Sequence, residues 1–254
     1  MYKIHPKTLF IGQIIQYLPS CQSTNDEASA LIALDEPTEG LIVVTDNQTA
    51  GRGQRGNQWE AKSGENLTFS LILKPSFLSA SEQFWLNIAV SLGIHDALLP
   101  LLDANLRIKW PNDIYIGSQK LGGILIENTL QGYNIAWSVV GVGININQTE
   151  FTYSTATSLQ QQAPLANGYD LPGMLSRLSE TVEQRYLQLR AGQRGLLKLA
   201  YLQILFRYRE EYWFATASEQ FRGIITGVDE VGRLVMSTVN GERVFDFKEV
   251  SFVI

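Results

Sequence analysis

Between residues 106 and 142, four apolar runs of strand length follow one another, separated in two places by turn dipeptides. The runs are residues 106–109, 114–116, 124–127 and 133–142. Gly117-Ser118 and Gln131-Gly132 read as hairpin turns. Such short connections join antiparallel neighbours, because a parallel pair needs a crossover of a dozen residues or more. The middle of the chain is therefore a sheet built largely of hairpins. Upstream, residues 11–18 and 41–45 read as further strands. Leu67, Phe69, Leu71 and Leu73 recur at the period of two that marks a strand.

Helical signals lie on either side. Trp85, Ile88, Ala89 and Leu92 recur at helical spacing in residues 81–102, with Pro100 near the end. Leu175, Leu178, Val182, Tyr186 and Leu189 give a second helix, and the aromatic-rich residues 196–213 a third. Thr24 with Glu27 is a capping-box pattern that predicts a helix reaching Leu34. Residues 149–168 are polar and read as a loop with short helical pieces. Strands and helices are mixed rather than alternating, so the fold class is α+β, a mixed and mostly antiparallel sheet flanked by helices. After Ala217 short strands alternate with turn signals at Asp229, Gly232 and Asn240-Gly241. That predicts a larger domain over residues 1–217 and a small β-barrel of SH3 size over 218–254.

Composition bounds the function. A chain of 254 residues with 45% hydrophobic content buries an ordinary core. A net charge of −5 argues against a general nucleic-acid binder, whose footprint is basic. The single cysteine, Cys21, forms no intrachain disulfide and fits a reducing compartment. No signal-peptide pattern opens the chain, and no uninterrupted apolar run reaches the roughly 18 residues of a membrane span. The expectation is a cytoplasmic protein with neither DNA nor membrane as partner.

The chemistry lies in a few motifs, each with a plain structural reading beside it. Gly51-Arg52-Gly53-Gln54-Arg55-Gly56 fits a surface hairpin or an anion site, because glycines admit close approach and guanidinium groups grip phosphate or carboxylate. Its spacing is neither that of a P-loop nor that of a dinucleotide fingerprint. Lys109-Trp110-Pro111-Asn112-Asp113 is a packed turn, or a strand end projecting a lysine and a carboxylate into a site. Lys120 precedes the glycine pair Gly122-Gly123, and Gly141-Val142-Gly143-Ile144-Asn145 is a sheet bend or a close approach. Ser23-Thr24 is a helix cap by default and also an anion site. Cys21 is a candidate nucleophile only if His5 or His95, the two histidines, lies beside it in space, and His95 sits in an apolar helix where a structural role is expected; no metal-ligand cluster is present in the sequence.

Taken in this order, Ser23-Thr24-Asn25, residues 51–56, 109–113, 120–124 and 141–145 closely resemble the biotin protein ligases. The likeness runs from Ser23 through the C-terminal domain. It implies a catalytic domain of the class II synthetase and lipoate-ligase type, followed by an SH3-like domain. It also implies a two-step reaction: biotin and Mg²⁺-ATP give biotinyl-5′-AMP, and the biotinyl group then passes to one lysine of a biotin carboxyl carrier protein or domain. The resemblance assigns Ser23, Thr24, Asn25, Gln48, Gly51, Arg52, Lys120, Gly123, Gly141 and Ile144 to biotin. It assigns Arg52, Gln54, Arg55, Trp59, Lys109, Asn112, Lys120 and Asn145 to ATP or the adenylate, with magnesium carried by ATP and no resident metal. Arg52, Lys120 and Asp113 become the catalytic residues, Asp113 orienting or deprotonating the attacking lysine.

Two departures from the family pattern stand out. The common loop is Gly-Arg-Gly-Arg-x-Gly, and Gln54 occupies its second arginine position, donating hydrogen bonds without charge. Only about twenty residues precede Ser23, fewer than a winged helix needs, so the expectation is an enzyme without the repressor module of some members. The resemblance leaves a monomer and a homodimer equally open. The rival readings are a lipoate ligase or octanoyltransferase of the same fold, and a non-catalytic biotin-binding module.

Overall fold

The computed structural model describes residues 2–102 and 105–253, apart from the side chains of Asp35 and Arg55. Seven strands make the first sheet: β1 (Ile15–Cys21), β2 (Ile42–Gln48), β3 (Leu67–Leu73), β4 (Leu106–Lys109), β5 (Asp113–Ile116), β6 (Gln119–Gln131) and β7 (Asn134–Ile144). Their order is β1-β2-β3-β7-β6-β5-β4. Only β1 and β2 are parallel, joined through helix α1 (Thr24–Asp35). The four strands from β4 to β7 form the hairpin series that the turn dipeptides predict, although the last turn sits at Gly132-Tyr133, one residue later.

Helices α2 (Gln83–Leu98), α4 (Leu171–Arg190) and α5 (Arg194–Gln203) lie on one side of this sheet, and α1 lies on the other. The short α3 (Leu159–Gln162) falls in the long polar connection. All seven residues of β3 are buried, which its alternation did not foretell. Leu67, Phe69, Leu71 and Leu73 enter the main core, whereas Ser70 and Ile72 face α1. Helices α2 and α4 approach closely where α2 carries Gly93, since a Cβ there would stand 2.6 Å from Val182 Cα. Helix α2 and its flanking turns, Ala80–Leu101, are long and apolar enough to cross a membrane, but 78% of the 18-residue apolar window within that stretch is buried inside the fold.

Three local expectations need correction. The first strand starts at Ile15; Ile11 is fully buried but lies in a turn whose amides bond to a side chain of α4. The capping box fails because Ser23, not Thr24, is the N-cap of α1, and the Thr24 side chain bonds elsewhere. The aromatic helix over residues 196–213 ends at Gln203. Arg207 and Arg209 take φ of 61° and 62°, which stops a right-handed helix, and Glu211–Ala215 becomes β8. Phe214 is then buried and Trp213 half exposed, as strand alternation requires.

The second sheet contains β8, β9 (Gln220–Val228), β10 (Leu234–Thr238), β11 (Gly241–Phe245) and β12 (Ser251–Phe252), in the antiparallel order β11-β10-β9-β8-β12. It is fastened to the first. Trp110 Nε1 donates to Gly232 O at 2.9 Å, and Phe247 packs against Trp110 and Phe84 with ring centroids 5.3 and 6.2 Å apart. The linker adds main-chain bonds to both sheets, from Phe206 N to Ile108 O and from Arg209 N to Ile225 O.

Candidate functional site

Helix α1 covers only part of its face of the first sheet. Val139 packs against it, while two positions further along β7 stands Gly141 and two further Gly143. On β6 Gly123 lies across from Gly143. Three residues without side chains thus form the floor of a cavity of about 210 Å³, with the Asn25 amide seated on Gly141 and the Trp59 ring on Gly143, each where a Cβ would stand. Ile144 has its side chain in the core with Val140 and Val142 and does not line the cavity. Alternation decides this, and it makes Gly143 a site residue that the motif reading left out.

The end of the cavity over β2 and β3 is polar and closed. Ser23, Thr24 and Asn25, at the start of α1, are all nearly buried there. Thr24 donates to Gln48 Oε1 through its amide at 2.9 Å and its hydroxyl at 3.3 Å. Ser70 Oγ lies 2.8 Å from Thr24 Oγ1 and donates to Asn25 Oδ1 at 2.6 Å. Asn25 Nδ2 in turn donates to Glu127 Oε2 at 2.6 Å. Ser70 and Glu127 carry no motif signal, and only the pairing of β3, β6 and β7 brings them here.

Residues 51–59 fold over the cavity as a miniature hairpin, with Arg52 paired to Gln58 and Trp59 N donating to Gly51 O at 3.0 Å. A Cβ on Gly51 would stand 2.4 Å from the backbone carbonyl oxygen of Trp59, which explains the glycine. Arg52 holds Asp26 at 2.6 Å and Glu127 at 3.1 Å. One hydrogen-bonded chain therefore runs from Gln48 to the arginine loop. Gln54 and Trp59 also line the cavity. The side chain of Arg55 lies outside those described.

At the other end, over β5 and β6, Lys120 Nζ sits 2.7 Å from Asp113 Oδ1, both part-buried. A Cβ on Gly123 would stand 3.5 Å from Lys120 Nζ, so the glycine leaves the ammonium accessible from the floor. Asn112 is buried and fixed by a short bond from its Nδ2 to Ile124 O. Asn87 Nδ2 donates to Pro111 O at 2.7 Å and pins the turn. Lys109 does not line this cavity. Its ammonium is 3.2 Å from Tyr115 Oη and lies over the rings of Tyr115 and Phe252, at the edge where the second sheet docks. Burial lowers its pKa, Asp113 opposing and Lys120 adding to the effect. Burial and then Asp113 push the Tyr115 hydroxyl up to about 12.

A second cavity of about 150 Å³ adjoins the first, and Gln58, Trp59 and Lys120 line both. Asn145 lines the second one. Its Nδ2 donates to Thr157 O at 2.9 Å, while its buried Oδ1 has no hydrogen-bond partner. Trp59 Nε1 is likewise buried and unpartnered. Cys21 lines neither cavity, and burial raises its thiol pKa, the opposite of an activated nucleophile.

This is the fold of the biotin protein ligases: the structure of the Aquifex aeolicus enzyme in complex with biotin and ATP superposes with a TM-score of 0.78 at 24% identity, covering 94% of this chain and 98% of that one. The chain belongs to the biotin/lipoate A/B protein ligase family, whose model matches residues 17–145. The bifunctional ligase/repressor BirA of Bacillus subtilis is 32% identical over 243 residues, covering 92% of this chain and 73% of the relative. The biotin--[acetyl-CoA-carboxylase] ligase of Mycobacterium tuberculosis is 31% identical over 229 residues, covering 87% and 82%.

Proposed function

We propose that the chain is an ATP-dependent biotin ligase. It joins biotin to ATP as biotinyl-5′-AMP with release of pyrophosphate, and passes the biotinyl group to a lysine of a carboxyl carrier domain in the cytoplasm. The observation that carries this reading is one cavity joining a closed polar end to the Lys120–Asp113 pair, with a second cavity opening at the same lysine. A ureido ring offers two donors and one acceptor, which suits the cluster of Thr24, Asn25, Gln48 and Ser70. The acid's tail lies on the glycine floor and brings its carboxylate to Lys120. The adenine takes the second cavity, where Asn145 Oδ1 lacks a partner and Trp59 supplies a ring.

In the first step a biotin carboxylate oxygen forms a bond to the α-phosphorus, and the bond to pyrophosphate breaks. Lys120 neutralises charge on the phosphoryl oxygens. The loop over residues 51–59 keeps water from the mixed anhydride. In the second step a neutral acceptor amine attacks the anhydride carbonyl and AMP leaves, with Asp113 placed to orient the amine. In this reading magnesium arrives with the triphosphate and keeps phosphate and water oxygens as ligands.

The family also includes lipoate ligases. A dithiolane ring or an octanoyl chain has no hydrogen bonds to give the buried polar end, and a site built for such bonds discriminates strongly against analogues lacking them. Exchange of labelled pyrophosphate into ATP is the test. The expected result is exchange with biotin and none with lipoate or octanoate; exchange with lipoate alone moves the chain to the sister activity, and none with any acid leaves a binding module.

The glycine floor makes a sharper prediction. A Cβ on Gly141 would land on the Asn25 amide, which is already bonded to Ser70 and Glu127. Gly141→Ala is expected to weaken biotin binding at least about tenfold, the size of one disrupted hydrogen bond to a charged partner, and to lower the unfolding temperature by roughly 2–8 °C, because the buried Asn25 amide loses a bond inside the fold. Isothermal titration beside a thermal melt checks both, and unaltered biotin affinity would remove Asn25 from the binding site.

A further inference from the structure

Where β6 carries Lys120, its pairing on the β7 side passes to a segment outside the sheet. Strand β7 ends at Ile144, opposite Gly122, and so stops short of Lys120. Residues 155–157 continue the pairing as one parallel bridge. Lys120 N donates to Thr155 O at 2.7 Å, and Thr157 N donates to Lys120 O at 2.9 Å. Thr155 and Ala156 also line the second cavity. One wall of that cavity and the main chain of Lys120 therefore move as a single piece.

Thr157 is fully buried at the centre of this piece. Its hydroxyl donates to Gln161 Oε1 at 3.1 Å and accepts from Gln162 Nε2 at 2.9 Å, both on α3. Helix α3 is itself tied to the end of β7, since Leu159 N donates to Asn145 O at 3.2 Å and Gln160 N to Ile146 O at 2.8 Å. The Thr157 carbonyl makes a further tie, accepting from Asn145 Nδ2 at 2.9 Å. A main-chain carbonyl can only accept, so the Asn145 amide cannot turn over without setting oxygen against oxygen. Its orientation is thereby fixed, and Oδ1, buried and unpartnered, is the atom left for a ligand at the second cavity. A purine with an exocyclic amino group brings a donor to that oxygen and leaves the amide as it stands. A purine with an oxo group in the same place brings a second acceptor. The amide meets it by turning over, which gives Nδ2 to the base and points Oδ1 at Thr157 O. The repulsion then falls on the residue whose N–H holds Lys120.

We propose that Thr157 is a positioning residue for adenylation: its carbonyl orients the Asn145 amide and its N–H holds Lys120, so the exocyclic group of the purine sets turnover and not affinity alone. This rests on the adenylation reading above, with the base in the second cavity. The main test needs no substitution. Biotin-dependent pyrophosphate exchange is measured with ATP, with inosine triphosphate and with the triphosphate of purine riboside, which carries only hydrogen where adenine has its amino group. Purine riboside triphosphate forgoes one hydrogen bond and leaves the amide unturned, so KM is expected to rise about tenfold with kcat kept. Inosine triphosphate turns the amide, and kcat is expected to fall about tenfold, a part of the roughly 10²–10³ that a donor such as Lys120 supplies. Asn145→Leu removes both ends of the amide, and one lowered kcat is expected for ATP and inosine triphosphate alike. A kcat with inosine triphosphate equal to that with ATP overturns the proposal, whatever KM does. So does a purine riboside triphosphate that loses kcat as far as inosine triphosphate does, which reduces the effect to a missing base contact. An Asn145→Leu enzyme that still favours ATP in kcat overturns it too. Absence of exchange with ATP in the unsubstituted enzyme would instead remove the adenylation reading itself, and this role with it.

Discussion

Lys120→Met is expected to reduce biotin-dependent pyrophosphate exchange by about 10²–10³-fold, the usual cost of removing one donor aimed at charge that develops in a transition state. Two effects act together here. The ammonium stands where the two cavities meet, so it faces the phosphoryl oxygens as their charge grows. It also neutralises Asp113 at 2.7 Å, and without it that carboxylate remains part-buried beside the incoming triphosphate. The first effect lowers kcat and the second raises KM for ATP. Adding Asp113→Asn to the substitution separates them: the double variant recovers ATP affinity but not turnover. A single variant that loses only ATP affinity, with kcat intact, would make Lys120 a ground-state contact and leave the chemical step without its principal cation.

What was legible in the sequence depended on whether the signal was local. The hairpin series from β4 to β7 was readable because turn chemistry and strand alternation are properties of neighbouring residues. The glycine positions were readable as places of close approach. Choosing between Gly143 and Ile144 needed only the period of two counted from Gly141, and resemblance by motif passed over it. Thr24 shows the opposite failure. A capping box two residues along from a strand is a sound local reading, yet the Thr24 hydroxyl has a better partner in Gln48, 24 residues away.

The remainder was hidden because it depends on contacts between the two sheets. Lys109 sits in the motif as a strand-end lysine beside a carboxylate, and its pairing with Asp113 across β4 and β5 keeps it on the cavity side. It turns instead to Tyr115 and Phe252, a ring that arrives on the last strand of the chain. Lys248 follows the same logic in reverse. Nothing around it marks a site, and it reaches one because Phe247 and Gly232 dock on Trp110. The aromatic run after Leu205 reads as helix because its periodicity is ambiguous until two arginines at positive φ end the turn and Phe214 finds the core of the second sheet.

Glu183→Ala is expected to be the most destabilising of the changes considered, although it lies far from the reacting groups. Its carboxylate is only 5% exposed and accepts three successive amides, Leu9 N at 2.6 Å, Phe10 N at 2.8 Å and Ile11 N at 2.9 Å. Glu180 next along α4 accepts Lys7 N at 2.8 Å. Residues 7–11 make no strand, so α4 supplies the acceptors that a neighbouring strand would otherwise give. An unsatisfied buried amide costs about 1–3 kcal/mol. Leu9 is exposed and water can replace its bond, but Ile11 is fully buried and its amide has no such recourse. The total comes to roughly 3–5 kcal/mol, which for a chain of this size lowers the unfolding temperature by about 10 °C. Glu183→Gln keeps the shape and one carbonyl acceptor and loses less than half of that. Calorimetry gives the size of the effect and hydrogen exchange its location. Fast exchange confined to residues 9–13 is expected, because Gly12 N also bonds to Gly40 O just before β2 and carries the defect only that far. A shift below about 2 °C, or protection lost evenly across both sheets, would show that the three amides find other acceptors and that Glu183 is not what holds the segment before β1.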